Sequence, residues 1–212
     1  MSNEIGFATA VIASVFAICD PLGTLPFFVA LTDGFSPQDR RLVRTRSVLV
    51  LGVVLTVFAI AGRFLFAAFG FTLEAFEIAG GILLFIIGYE MLAGEITRTK
   101  MTEQDRQDAL SRRDEISIVP LGIPLLAGPG AISTVMIYEG TAGSNPVELF
   151  ATFIAIAITA GATWVVFYYG DQIFRRMGRV GVMAVSRVMG LLLAAVGVQF
   201  ILNGITNLLP HL

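Results

Sequence analysis

The stretch Cys19-Asp20-Pro21-Leu22-Gly23-Thr24-Leu25-Pro26 lies inside an apolar run, residues 5–31, long enough to cross a bilayer. It places an acid, a glycine and two prolines where a helix in hydrocarbon favours none of them. Proline removes a backbone donor, and its ring clashes with the preceding turn. In lipid the freed carbonyl has no water to turn to, so another protein group must satisfy it. A second stretch, Leu121-Gly122-Ile123-Pro124-Leu125-Leu126-Ala127-Gly128-Pro129-Gly130, breaks the same rule in the second half of the chain. The two breaks are expected to form one site.

Composition sets the class. The chain has 212 residues, of which 56% are hydrophobic and 14% charged, and its mean hydropathy is +0.82. Soluble domains carry roughly 25% charged residues, so an integral membrane protein is expected, with the lipid bilayer as its main partner. The net charge of −2 says nothing about nucleic acid, but no basic patch lies outside the loops, and no nucleic-acid partner is expected. A single cysteine, Cys19, excludes an intrachain disulfide framework. The one histidine, His211, leaves no His-based metal cluster and no Ser-His or Cys-His arrangement. No catalytic constellation, cofactor motif or nucleotide-binding loop is present, so the chain is read as neither an enzyme nor a nucleotide-driven pump. The first residues lack the basic region of a cleavable signal, so the first apolar run is expected to be retained.

A span needs about 20 mostly apolar residues. Six are predicted, over residues 5–31, 47–69, 73–94, 116–138, 147–169 and 185–209, the first interrupted near 20–26 and the fourth near 127–130. Of the 14 basic residues, all but Arg63 fall before the second span, between the third and fourth, or from the end of the fifth to the first turn of the sixth. Basic loops mark the cytoplasmic side. Both ends of the chain are therefore expected outside.

The fold class expected is an all-α polytopic membrane protein with six transmembrane helices, the first and fourth discontinuous. Six spans divide into a first three-helix repeat at 1–96, a polar cytoplasmic loop at 97–115 and a second repeat at 116–212, together one transmembrane domain. Three spans per repeat put the second repeat in the membrane upside down, an arrangement transporters reuse. Gly81-Ile82-Leu83-Leu84 with Ile87-Gly88-Tyr89-Glu90 resembles Gly190-Leu191-Leu192-Leu193 with Val196-Gly197-Val198-Gln199 at identical spacing. Asp20-Pro21 pairs with Gly128-Pro129 at nearly the same offset. The glycines at 81, 88 and 94, and at 190, 197 and 204, are read as helix-packing positions.

The candidate substrate-binding residues follow from the breaks: Asp20, Pro21, Gly23 and Thr24 at the first, Gly128, Pro129, Gly130, Ser133 and Thr134 at the second. A broken helix presents free N–H groups at one half-helix start and free carbonyls at the other half's end. The N–H end suits a carboxylate. Asp20 is either a helix cap or a group that meets a substrate ammonium or coupling proton. Glu90, displaced toward the cytoplasmic end of its span, is the second candidate for coupling a proton or ion. Thr24, Ser133 and Thr134 each have a simpler reading, in which their hydroxyls satisfy freed carbonyls. Arg63, Glu74 and Glu77 are read as an interfacial ion-pair cluster near the outer boundary.

Residues Asp20-Pro21-Leu22-Gly23-Thr24-Leu25-Pro26-Phe27-Phe28 resemble the first-span motif of the MarC family, also called UPF0056. Pro120-Leu121-Gly122-Ile123-Pro124-Leu125-Leu126-Ala127-Gly128-Pro129-Gly130-Ala131-Ile132-Ser133-Thr134 resembles its fourth-span signature. The likeness covers the whole chain; position 20 is Asp, where Asn is also usual in the family. It implies an inner-membrane protein related to transporters of small neutral amino acids such as glycine, alanine and serine. A secondary transporter driven by a proton or sodium gradient, or by exchange, is the expectation. An exporter of amino acids or other small molecules and a non-transporting membrane scaffold are the rivals.

Overall fold

A computed structural model describes residues 2–70, 72–93, 113–143, 145–174 and 178–208. The polar loop at 97–115 lies outside the described residues up to position 112. The described chain is helical and without strands: α1 Ser2–Cys19, α2 Pro21–Leu31, α3 Pro37–Phe69, α4 Leu73–Ala93, α5 Ser117–Leu126, α6 Pro129–Ala142, α7 Pro146–Phe174 and α8 Gly178–Leu208. Five segments are long and apolar enough to cross a membrane: 4–31, α3, α4, 146–170 and 187–208. The pair formed by 113–126 and α6, bent by 60°, is a sixth candidate when the two are taken as one broken span.

The helices are apolar on both faces, as a span requires. In α3, Val43, Leu51, Leu55 and Ala59 are buried, while Leu49, Val53, Val57, Ile60 and Phe64 on the opposite stripe are exposed. α3 begins earlier than hydropathy alone suggests because its polar first turn is held in place. Asp39 N–H donates to Ser36 Oγ at 3.2 Å. Arg113 Nη1 donates to Asp39 Oδ1 at 2.7 Å, and Arg46 pairs with Asp114. These contacts fix the start of α3 beside the start of the fourth span. At the same end Arg44 lies over the rings of Trp164 and Tyr168, 4.6 and 5.0 Å from their centroids.

The two short helices α2 and α6 fill the middle of the bundle. Residues Phe27 to Leu31 are buried in succession, which no one-faced helix allows, and Phe28 stacks on Phe167 of α7 at 4.6 Å. Around this centre several packed pairs match, although α6 on α7 and α4 on α5 have no comparable counterpart. α1 lies on α7 as α5 lies on α3, α2 on α7 as α6 on α3, and α1 on α6 as α2 on α5. α3 meets α7, and α4 meets α8 along its length.

The α4–α8 contact is made by glycine. A methyl group placed on Gly81 would lie 2.5 Å from the Gly197 carbonyl oxygen, and one on Gly88 would lie 2.6 Å from the Gly190 carbonyl oxygen. A methyl on Gly204 would lie 2.7 Å from the Glu74 carbonyl oxygen. Small residues let backbones approach this closely.

Candidate functional site

The first break is confined to Asp20, narrower than the stretch 20–26 marked in the sequence. Pro21 takes the first helical position of α2, where a missing N–H costs nothing, so the helix restarts at once. Asp20 has φ 38 and ψ 67, a left-handed conformation that Asp tolerates better than most residues. Its N–H still donates to Phe16 O at 3.1 Å, and Thr24 N–H donates to Asp20 O at 3.0 Å. Between them the ladder fails. Pro21 has no N–H for the Ala17 carbonyl, and Gly23 N–H turns to Asp20 Oδ1 at 3.0 Å. The Asp20 carboxylate thus caps α2, and it folds over Gly23 so closely that a methyl group there would overlap it. Thr24 Oγ1 donates to Asp20 O at 2.9 Å.

Replacing Asp20 separates hydrogen bonding from charge. Asp20→Asn is expected to keep the bond from Gly23 N–H and unfold within a few degrees of the parent. Asp20→Ala is expected to lose about 0.5–2 kcal/mol, seen as a lower midpoint in thermal unfolding of the detergent-solubilised protein. An Ala variant as stable as the parent would show that the cap contributes nothing.

The second break is wider. α5 is itself irregular: Val119 and Ile123 are extended, each followed by a cis proline, Pro120 and Pro124. The residue before proline is pushed out of the helical region. Ala127 N–H then donates to Gly122 O at 2.9 Å, and α6 starts at Pro129 with Gly128 as its cap residue. A methyl on Gly128 would lie 2.5 Å from the Pro124 carbonyl oxygen, so the chain can turn here only with glycine. No side chain caps α6. Pro129 has no N–H, which leaves the amides of Gly130 and Ala131 as the donors without an intrahelical acceptor.

The two breaks are neighbours but not twins. A methyl on Gly130 would lie 3.2 Å from Ile18 Cγ2, which sets the carbonyl end of α1 beside the N–H end of α6. Asp20 and Gly23 are exposed, whereas Gly128 and Pro129 are buried. Pro21, Thr24 and Thr134 are buried, and Gly130 and Ser133 half-buried. Ser133 Oγ and Thr134 Oγ1 both donate to Gly130 O, at 3.0 and 2.7 Å, so these hydroxyls serve their own helix. Gly80 packs within 3.6 Å of Pro124 and 3.9 Å of Pro129, measured from a methyl built on it. Glu90 lies ten positions further along α4, about 15 Å at 1.5 Å per residue. The structure therefore groups the break residues and leaves Glu90 apart from them.

Three contributors carry no sequence signal of their own. Ile18 and the Ala17 carbonyl gain their place from the break that follows them. Phe200, 3.7 Å from a methyl built on Gly128, comes from α8. Among the described residues no three His, Cys, Asp or Glu side chains gather as a metal site.

Comparison with known proteins gives one consistent match. The family described as MarC family integral membrane protein matches residues 5–209. A UPF0056 membrane protein of Pyrococcus horikoshii is 40% identical over 191 residues, covering 90% of this chain and 90% of its own. UPF0056 membrane protein YhcE of Escherichia coli is 33% identical over 198 residues, 93% of this chain and 91% of its own. UPF0056 membrane protein YvbG of Bacillus subtilis is 31% identical over 207 residues, 97% of both. No solved structure matches the chain.

Proposed function

Because the chain belongs to the MarC family of integral membrane proteins, we propose that it is a secondary transporter of small neutral amino acids. The observation that carries this reading is the uncapped start of α6 beside the carbonyl end of α1. A zwitterion needs both. Its carboxylate would be held by the Gly130 and Ala131 amides, where the helix dipole favours an anion. Its ammonium would meet the Ala17 and Ile18 carbonyls, with the Asp20 carboxylate next to them. Gly128, Pro129 and Gly130 keep the site small, which suits glycine, alanine or serine. An acid in the hydrocarbon region costs about 2.5–3.5 kcal/mol on insertion scales. Asp20 is accordingly the first candidate to carry a coupling proton or sodium ion, and Glu90, away from the breaks, the second.

The same reading makes 1–96 and 116–212 two inverted repeats joined by the loop at 97–115, with the arginine-rich end cytoplasmic and both ends of the chain outside, in the inner or plasma membrane. The crosswise glycine contacts support the repeat. Gly81 meets Gly197 while Gly88 meets Gly190. A two-fold axis that carries Gly81 onto Gly190 and Gly88 onto Gly197 turns the first contact into the second. The matched helix pairs obey the same exchange of α1 with α5, α2 with α6, α3 with α7 and α4 with α8.

Reconstitution tests the function. Liposomes containing the purified protein are expected to take up labelled glycine, alanine or serine, faster when a proton or sodium gradient is imposed. Uptake no greater than in empty liposomes under every gradient would sink the transport reading and favour a scaffold. Movement only outward from loaded liposomes would favour an exporter.

A further inference from the structure

A cavity of about 390 Å³ opens between α3 and α6, at the end of the bundle away from the arginine-rich loops. Its walls include Arg63 and Glu139, with Phe58 and Phe64 beside them. Arg63 is the one basic residue outside the arginine-rich loops, a costly choice unless the charge has a task. Its guanidinium lies against Gly140, in the last turn of α6, where carbonyl dipoles favour a cation. A side chain at 140 would collide with it, so glycine there makes its room. Glu139 is the next residue. Its Oε2 is buried and has no hydrogen-bond partner. A buried carboxylate oxygen without a partner is unstable relative to one that has found a donor.

A guanidinium and an unpartnered carboxylate on one small cavity are the complement of a small zwitterion. We propose that this cavity is a second binding site for a neutral α-amino acid, with the substrate carboxylate on Arg63 and its ammonium on Glu139. The position fits an outer vestibule. Met136 lines the cavity and packs on Gly62 of α3, where a methyl group would lie 2.7 Å from its sulfur. Pro129, Ser133, Met136 and Gly140 follow one another at three- and four-residue steps, hence on one face of α6. Met136, a flexible thioether, is the cavity's lining residue nearest the break along α6. The vestibule role rests on the transport reading; the binding itself does not.

The test uses the full chain with Cys19→Ala and Met136→Cys, with Ile60→Cys on the cavity rim as a second reporter should the first fail to fold. In sealed cells an impermeant maleimide is expected to label position 136 from outside. Alanine is expected to slow labelling several-fold, whereas acetate and methylamine, each carrying one of the two charges, leave it unchanged. Arg63→Gln and Glu139→Gln are each expected to abolish the protection. Labelling that alanine does not slow, or protection that survives both substitutions, would overturn the proposal and leave a cavity that holds water only. The same reporter combined with Gly130→Leu separates the two sites. Protection that persists while uptake is lost supports a distinct outer site; protection that disappears assigns it to the helix break. Protection by alanine in a parent protein that transports nothing would retain the binding site and discard the transport reading.

Discussion

Gly197→Leu is expected to yield no stable folded protein. α4 and α8 approach until the Gly81 and Gly88 positions meet opposing backbone at 2.5–2.6 Å, and Gly197 and Gly190 return those contacts at 2.5 and 2.8 Å. Backbone cannot rotate away as a side chain can. A leucine here must separate the helices, opening voids at Gly88, Gly190 and Gly204 along the same seam. Overpacking a well-packed site usually costs about 1–3 kcal/mol. Forcing two long helices apart should lie at or above the top of that range. Size-exclusion profiles and thermal unfolding in detergent read the effect. Gly161→Leu is the control, because nothing lies within 4 Å of a methyl built there. If Gly197→Leu gives a sharp peak at the parent's position with an unchanged midpoint, the seam is not what holds α4 to α8.

Gly130→Leu is expected to leave the fold intact and remove transport. The first added carbon would sit 3.2 Å from Ile18 Cγ2, a contact that a shift of a few tenths of an ångström relieves. The remaining carbons would fill the space in front of the Gly130 and Ala131 amides, where we propose that the substrate carboxylate binds. Uptake into proteoliposomes should fall at least about tenfold, equivalent to about 1.4 kcal/mol of lost binding, with an unchanged size-exclusion profile. Gly130→Ala should fall between. Normal uptake by Gly130→Leu would remove the break from the solute's path. Loss of the folded peak would instead make Gly130 a packing glycine like Gly197.

Much of this was legible in the chain. The glycines at 81, 88, 190, 197 and 204 were readable as packing positions because their spacing places them along a helix face, and α4 and α8 meet there. Both breaks were readable because Pro21 and Pro129 cannot continue a ladder. Their forms were not. Asp20 could equally have capped α2 or faced a ligand, and its turn onto Gly23 N–H is a rotamer that the sequence leaves open. The extended residues before Pro120 and Pro124 widen the second break beyond the 127–130 interval marked by composition. Arg63 was assigned to Glu74 and Glu77 by closeness along the chain. The fold adds a contact with Gly140 and a cavity shared with Glu139, both from a helix in the other half of the protein.

The sequence by itself determined the class, an all-helical membrane protein with five to six candidate spans, and the prolines at which its helices restart. Those depend on hydropathy and on backbone hydrogen bonding, both local, and a bilayer leaves few ways to satisfy them. Only the tertiary structure decided which half-helix start is closed by its own carboxylate and which stays open, and which acid shares a cavity with the one outlying arginine. Those outcomes depend on side-chain rotamers and on contacts between segments far apart in the chain, where α1 meets α6 and α3 meets α6, and no local pattern encodes them.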